Sequence, residues 1–388
     1  MQTKENYFLS QPHQPFFLLG IINAIVMILL FALNYKGIFS LHVDTAIFHS
    51  YSLIFLVFTN FFTGFLFTTF PRFNQTEVIE KKYYSNIFYA NTLASLLFIA
   101  GAFTSQTLLL VAMLFSLLSQ LFIILKLQTI YTTSTAADKS DSFWILSANY
   151  FGFFGNLLFI LSLFYTAILP IAVSISFYMY LIFLSFSVGQ RMIPFFSHSF
   201  VQKNENFVKI IFVLFLLKSV FVSADIKSMQ IIIDLLLGVY MFVEFKRWEL
   251  HPLQSPPILW VLHLALFWLP LAFFLSALSL GAEMLLDTSF YFLNIHLLAI
   301  GFLTTLLIGF GTRVTLGHSG QPPQADTLAT KIFLSIQLVL LLRALFSFNV
   351  AFGWGLDFLF DISFTAWSLL FLIWGGRYFS VLVFGRKL

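Results

Sequence analysis

Long apolar runs, each ended by a short polar or turn-forming cluster, recur along the whole 388-residue chain. A helix needs about 20 apolar residues to cross a hydrocarbon layer of ~30 Å. Read against that length, the breaks predict twelve transmembrane helices near residues 15–34, 46–70, 84–104, 107–131, 143–165, 168–188, 207–223, 228–246, 258–280, 288–311, 329–349 and 358–383. The sixth to eighth are the least sharply bounded, because only Lys218, Asp225 and Lys227 interrupt the two short runs there. The predicted fold is an all-α integral membrane bundle, a single polytopic domain over residues 1–388. No soluble domain, long linker or internal sequence repeat interrupts it.

Composition narrows the class. Residues are 60% hydrophobic and 9% charged, with a mean hydropathy of +0.93, whereas soluble domains carry about 25% charged residues. The net charge of +4 and pI near 9.1 come from residues that anchor helix ends, and nothing in them points to nucleic acid. With alternating helices and an inner N-terminus, the outer side holds only Lys36, Lys218, Lys227 and Arg343, and the other 16 of the 20 Lys and Arg fall inside. That asymmetry predicts both termini in the cytoplasm and a bacterial inner-membrane location. The N-terminal stretch lacks a small-residue cleavage site, so the run from Pro15 reads as a retained first helix. Cysteine is absent, which excludes thiolate zinc, iron–sulfur clusters, c-type haem attachment and disulfides. A metal must use His, Met or carboxylate. The 54 Phe carry no assigned role.

Eight histidines remain. His13, His42 and His251 fall in polar flanks and read as solvated. His49 lies about one turn into the second span and His296 about two turns into the tenth, both entering from the outer face. An ionisable group in a membrane helix is costly, so each is a functional-site candidate. Neutral imidazole is a standard axial ligand of haem iron, and His49 and His296 are the expected pair for a haem b. The competing reading has each one hydrogen-bonding a neighbouring helix.

His318 is 22 residues beyond His296, about 33 Å of continuous helix, so the two cannot share a metal. The run Thr312-Arg313-Val314-Thr315-Leu316-Gly317-His318-Ser319-Gly320 is therefore a second, inner-side feature. Arg191, Arg313 and His318 suit an anion or a propionate there, and His198 and His263 are further candidates for a metal with His318. Asp234 is expected to pair with Lys218 or Lys227. Arg343 is expected to meet Asp357, Asp361 or haem propionates, and Asn60, Asn149 and Asn156 to bridge helices.

His296 and Gly301 lead into Thr312-Arg313-Val314 and Gly317-His318-Ser319-Gly320, and the stretches Gln14 to Leu19, Gly64 to Pro71 and Gly189 to Phe196 come before them in the chain. In this order the four stretches resemble the NnrS family, the first-named being similar to its closing signature. The resemblance implies a twelve-span bacterial inner-membrane protein that contains haem and copper and is linked to nitric oxide and nitrosative stress. It also implies a loose likeness to the haem–copper oxidase core, where helices two and ten each give a histidine to a haem. The chain departs from the pattern at two places. The family's H-x-H-E motif reads His49-Ser50-Tyr51-Ser52, and the Arg after the glycine turn is Gln321. Helices six and seven hold no His, so an oxidase-like copper site of several imidazoles cannot be built there, which argues against copper.

The function expected is haem-based resistance or response to nitric oxide, with a quinol or a redox protein as electron donor. The rival from another class is a transporter using intramembrane His and Asp residues as a proton relay or substrate site. A third reading, a ligand-free assembly factor, has His49→Ala and His296→Ala altering only stability.

Overall fold

The computed structural model describes residues 7–252 and 254–388. Lys4, counted above on the inner side, lies outside them. Among the described residues there are twelve long helices and no strands. They are α1 (His13–Tyr35), α2 (Thr45–Phe73), α3 (Lys81–Thr104), α4 (Gln106–Thr132), α5 (Ser140–Ser162), α6 (Thr166–Phe196), α7 (Phe207–Ser223), α8 (Lys227–Arg247), α9 (Pro257–Leu286), α10 (Leu293–His318), α11 (Thr327–Phe352) and α12 (Phe358–Phe384). Eleven are long and apolar enough to cross a membrane. The exception is α7, whose 17 residues stand at the lower limit of about 17 for a spanning helix. It lies in the region that the sequence bounded least sharply. The protein is a multi-pass membrane protein.

Two of the shifts in helix start from the sequence expectation each move a histidine. α1 begins at His13 rather than Pro15. α10 begins only at Leu293, because Tyr291 and Phe292 take left-handed conformations with φ of 44° and 60°. Hydropathy cannot see such a break, since both residues are apolar.

α2, α6 and α10 are the most buried of the eleven spans, and each contains a π-helical stretch: Ser52–Phe58, Ile175–Ile182 and Leu297–Thr304. Their starts are 123 and 122 residues apart. This is a repeat in backbone hydrogen bonding that the side-chain sequence does not display. Longer i→i+5 rings displace carbonyls from their usual partners, and such stretches are frequent at functional sites. Threonines answer some of these carbonyls five residues back: Thr59 donates to Ile54 at 2.8 Å and Thr304 to Ala299 at 2.7 Å. The Leu56 carbonyl accepts from both Asn23 and Asn60, each at 2.7 Å.

Contacts divide the chain into two compact units. The first runs to Ser176 and adds Val314–Pro322 and Phe371–Leu388. In it, Asn91 donates to Asn60 at 2.9 Å and Ser119 donates to Asn91. Asn156 donates to Gln120 at 3.1 Å and accepts from Tyr51 at 3.2 Å. Asn60 and Asn156 thus bridge helices as expected. Asn149 instead donates to Ile145 of its own helix at 2.8 Å.

The second unit comprises Phe177–Arg313 and Pro323–Leu370. Its polar centre is an ion pair, with Lys218 of α7 donating to Asp234 of α8 at 2.7 Å. Ser276 of α9 donates to the same carboxylate oxygen at 2.7 Å. Lys227 pairs with Glu283 at 3.0 Å. Of the two expected partners, Lys218 is therefore the one Asp234 takes.

Candidate functional site

In the first unit, Asp44 caps α2 by accepting from the backbone N–H of Ala46 and Ile47 at 2.8 and 3.2 Å. His49 is the fifth residue of that helix. Its ring stacks on Phe31 of α1 with centroids 4.1 Å apart, three residues before the π stretch.

The second unit repeats this local plan in α10. His296 is its fourth residue and directly precedes the π stretch. It lies one turn into its helix, not two, because of the left-handed Tyr291–Phe292 pair. His296 Nδ1 is 2.8 Å from the carbonyl oxygen of Phe292. A carbonyl can only accept, so Nδ1 carries the proton and the basic lone pair of the neutral ring is on Nε2. Arg343 of α11 secures the strained pair from behind. Its guanidinium donates to the Tyr291 carbonyl at 3.0 Å and to Ser347 Oγ at 2.6 Å, and lies over the Tyr291 and Phe346 rings.

The second unit also holds most of the inner-side candidates. The end of α6 packs on α10: Phe196 meets Phe310 edge-on at 6.3 Å, and the Arg313 guanidinium lies 3.9 Å above the Phe196 ring. His263 of α9 is buried and touches a serine hydroxyl at each ring nitrogen, Ser197 at 2.6 Å and Ser255 at 3.4 Å. His198 is exposed, with φ of 53°, just past the end of α6. Arg191 is half-buried in the last turns of that helix. Here His263 joins helix ends through hydroxyls. Among the described residues no group of three or more His, Cys, Asp and Glu is placed to hold a metal ion.

His318 has a neighbour the sequence reading missed. In the first unit its ring centroid is 5.0 Å from that of His13, with the rings tilted by 46°. His13 was expected to be solvated, yet it is 2% exposed. The residues around it explain the burial. Gln14 accepts from Ser10 Oγ at 3.0 Å and from the Gln11 N–H at 2.9 Å, so the chain before α1 folds back onto the helix start. Gly64 of α2 lets α1 approach: a Cβ there would stand 2.9 Å from Phe16 Cβ and 3.2 Å from His13 Cα. Phe17 meets the His13 ring edge-on at 5.7 Å. His318 is the last residue of α10, which closes in a glycine turn. The Gln321 N–H reaches back to the Leu316 carbonyl at 3.1 Å, and Gly320 has φ of 71°, the left-handed conformation that glycine adopts without steric cost. Gln321 ties this turn to the end of the chain, accepting from the Leu388 N–H at 2.9 Å.

The model of the family described as NnrS protein matches residues 7–386. The chain belongs to the NnrS family. No match to a curated protein was found. Family membership now bears on the geometry. Of the four stretches that carried the resemblance, three meet at one place in the first unit: Gln14 to Leu19, Gly64 to Pro71, and the turn around His318. The fourth, Gly189 to Phe196, packs against Phe310 and Arg313 within the second unit. The signal that could have found His13 was its position directly before Gln14-Pro15, the start of a stretch that carried the resemblance.

Proposed function

We propose that this NnrS-family protein is a haem protein of the bacterial inner membrane that serves in resistance or response to nitric oxide, in which His49 and His296 are the imidazoles that would hold haem iron. Family membership supports the link to nitric oxide, and the excess of Lys and Arg on one side supports cytoplasmic termini. One observation carries the ligand assignment. Each of these histidines lies one turn into its own helix, just ahead of a π-helical stretch. The donor chemistry fits: the Phe292 carbonyl fixes the His296 tautomer that presents Nε2, as outer partners do for metal-bound histidines. Stacking on Phe31 restricts the His49 ring.

A haem held there would supply an iron that changes oxidation state and offers a site for a diatomic gas. The chain does the rest. Arg343 holds the turn that aims His296. If both imidazoles stay bound, electron transfer from a quinol or redox protein is the natural role. Arg191 and Arg313 remain in this reading as the cationic residues of the inner side. The transporter reading is weakened by the Lys218–Asp234 pair, which occupies the carboxylate that a relay would use.

The test is the reduced-minus-oxidised spectrum of purified protein, with and without nitric oxide. A b-type spectrum is expected in wild type and is lost in His49→Ala and in His296→Ala. A further shift with nitric oxide supports gas binding. A colourless wild type after expression with ample haem refutes the proposal, as does a spectrum unchanged in both variants.

A further inference from the structure

We infer that the seam between α8 and α9 is a water-filled inlet, which opens beside the α7–α8 turn and ends at Asp234. The inference does not rest on the haem reading and lies wholly within the second unit.

The seam carries a matched polar stripe. On α8 it consists of Lys227, Gln230 and Asp234, and on α9 of Glu283, Ser279 and Ser276. Both sets are spaced by three and four residues, so each occupies one face of its helix. Hydrogen bonds at both ends show that the two faces meet: Lys227 donates to Glu283 at 3.0 Å, and Ser276 donates to Asp234 at 2.7 Å. Exposure falls along the stripe, from 35% and 14% for the Lys227 and Glu283 side chains to 2% for Ser276 and 0% for Asp234. Asp234 lies about 10 Å along the axis from the start of α8. Beyond it the same faces continue with Met241 and Phe245 on α8 and with Phe273 and Leu269 on α9, all of them fully buried. The stripe is therefore a dead end and not a passage through the bundle.

Polar atoms at its inner end call for an occupant. Asp234 Oδ2 accepts from both Lys218 and Ser276, while Oδ1 is buried and has no hydrogen-bond partner. An ionised carboxylate can only accept, and an unanswered charged oxygen in a low-dielectric interior is costly. Lys218 has three N–H donors, of which Asp234 engages one. The occupant has to donate to Oδ1. It has to be neutral, because an anion meets Asp234 and a cation meets Lys218. It has to be small, because the two helices are tied together at both ends of the stripe. Water satisfies all three conditions, with Asp234 and Lys218 as its polar partners at the inner end and the Ser279 hydroxyl on the way. Hydration also accounts for an ion pair at this depth, since it lowers the desolvation cost of each charge. What the inlet brings to the buried carboxylate is water and exchangeable protons from one side of the membrane.

The test uses full-length protein in lipid nanodiscs, with D2O as the probe. The chain has no Cys, so a single introduced cysteine gives the only S–H stretching band in the infrared spectrum. Its conversion to S–D reports water at that position. Ser276→Cys and Ser279→Cys lie in the stripe and change little in size. Leu235→Cys stands beside Asp234 on an outward face, 44% exposed, and Ala277→Cys is buried beside Ser276 on another face. The two stripe positions are expected to exchange about ten-fold or more faster than both controls, with Ser279→Cys ahead of Ser276→Cys. Gln230→Leu, which makes the middle of the stripe apolar, is expected to slow Ser276→Cys several-fold and to leave Ala277→Cys unchanged. Exchange at Ser276→Cys no faster than at Ala277→Cys overturns the inference. So does equally rapid exchange at all four positions, which marks general opening of the bundle, or a Ser276→Cys rate that Gln230→Leu does not move. A colourless protein with the expected pattern removes the haem reading and leaves the inlet standing.

Discussion

The Lys218–Asp234 pair allows a quantitative test of how this bundle tolerates charge. The two side chains are 1% and 0% exposed, with Nζ 2.7 Å from Oδ2. At an effective dielectric constant near 20 their attraction is about 6 kcal/mol. Desolvation offsets most of it, at several kcal/mol per ion. The net contribution of the intact pair is therefore small, while half a pair is costly. Lys218→Met leaves Asp234 with only the Ser276 hydroxyl, and Asp234→Asn leaves an ammonium facing an amide. Each is expected to destabilise by about 3–5 kcal/mol. The double variant removes both charges and keeps an acceptor for Ser276, so it is expected within about 1–2 kcal/mol of wild type. Reversible unfolding in mixed micelles by SDS titration measures all four proteins, and the cycle isolates the coupling. Single variants that cost under about 1 kcal/mol, or a double variant as unstable as the two singles combined, would refute the reasoning.

Three further perturbations follow from the packing. Gly101→Ala places a Cβ against the backbone of Leu108 and Leu109 at the α3–α4 corner, and an unfolding titration should show a loss of about 1–3 kcal/mol. Asn91→Leu takes away the donor to Asn60 and the acceptor for Ser119; about 1–3 kcal/mol of stability is expected to go with it, and Asn91→Asp should recover part. Arg343→Ala removes the bonds to Tyr291 and Ser347, with a loss of about 1.5–3 kcal/mol and faster haem transfer to an apoglobin acceptor. Arg343→Lys should fall between, and an unchanged transfer rate in both would detach Arg343 from His296.

Much of the architecture was legible because membrane insertion is governed by local composition. The number and rough positions of the long helices follow from hydropathy, and the region around Lys218 that the sequence bounds least sharply holds α7, the shortest of them. A cationic partner for Asp234 was also foreseeable, because a buried carboxylate demands one, but the choice of Lys218 over Lys227 was made by packing. The depth of His296 was not foreseeable. It depends on two left-handed residues that are apolar like their neighbours, and on an arginine 52 positions away that holds them. The π-helical repeat escaped for a related reason: it resides in backbone hydrogen bonds, which the order of side chains does not spell out.

His13 shows where the division falls. Its class, a histidine at the first turn of a helix, is a property of the nearby sequence. Its burial is not, because Gly64 and the fold-back of the preceding turn create it. Its meeting with His318 is further still from the local pattern. Hydropathy decides that a segment enters the membrane, since transfer from water depends on each residue's own surface. Which imidazoles face each other depends on helix contacts between segments hundreds of residues apart, and those exist only once the helices have packed.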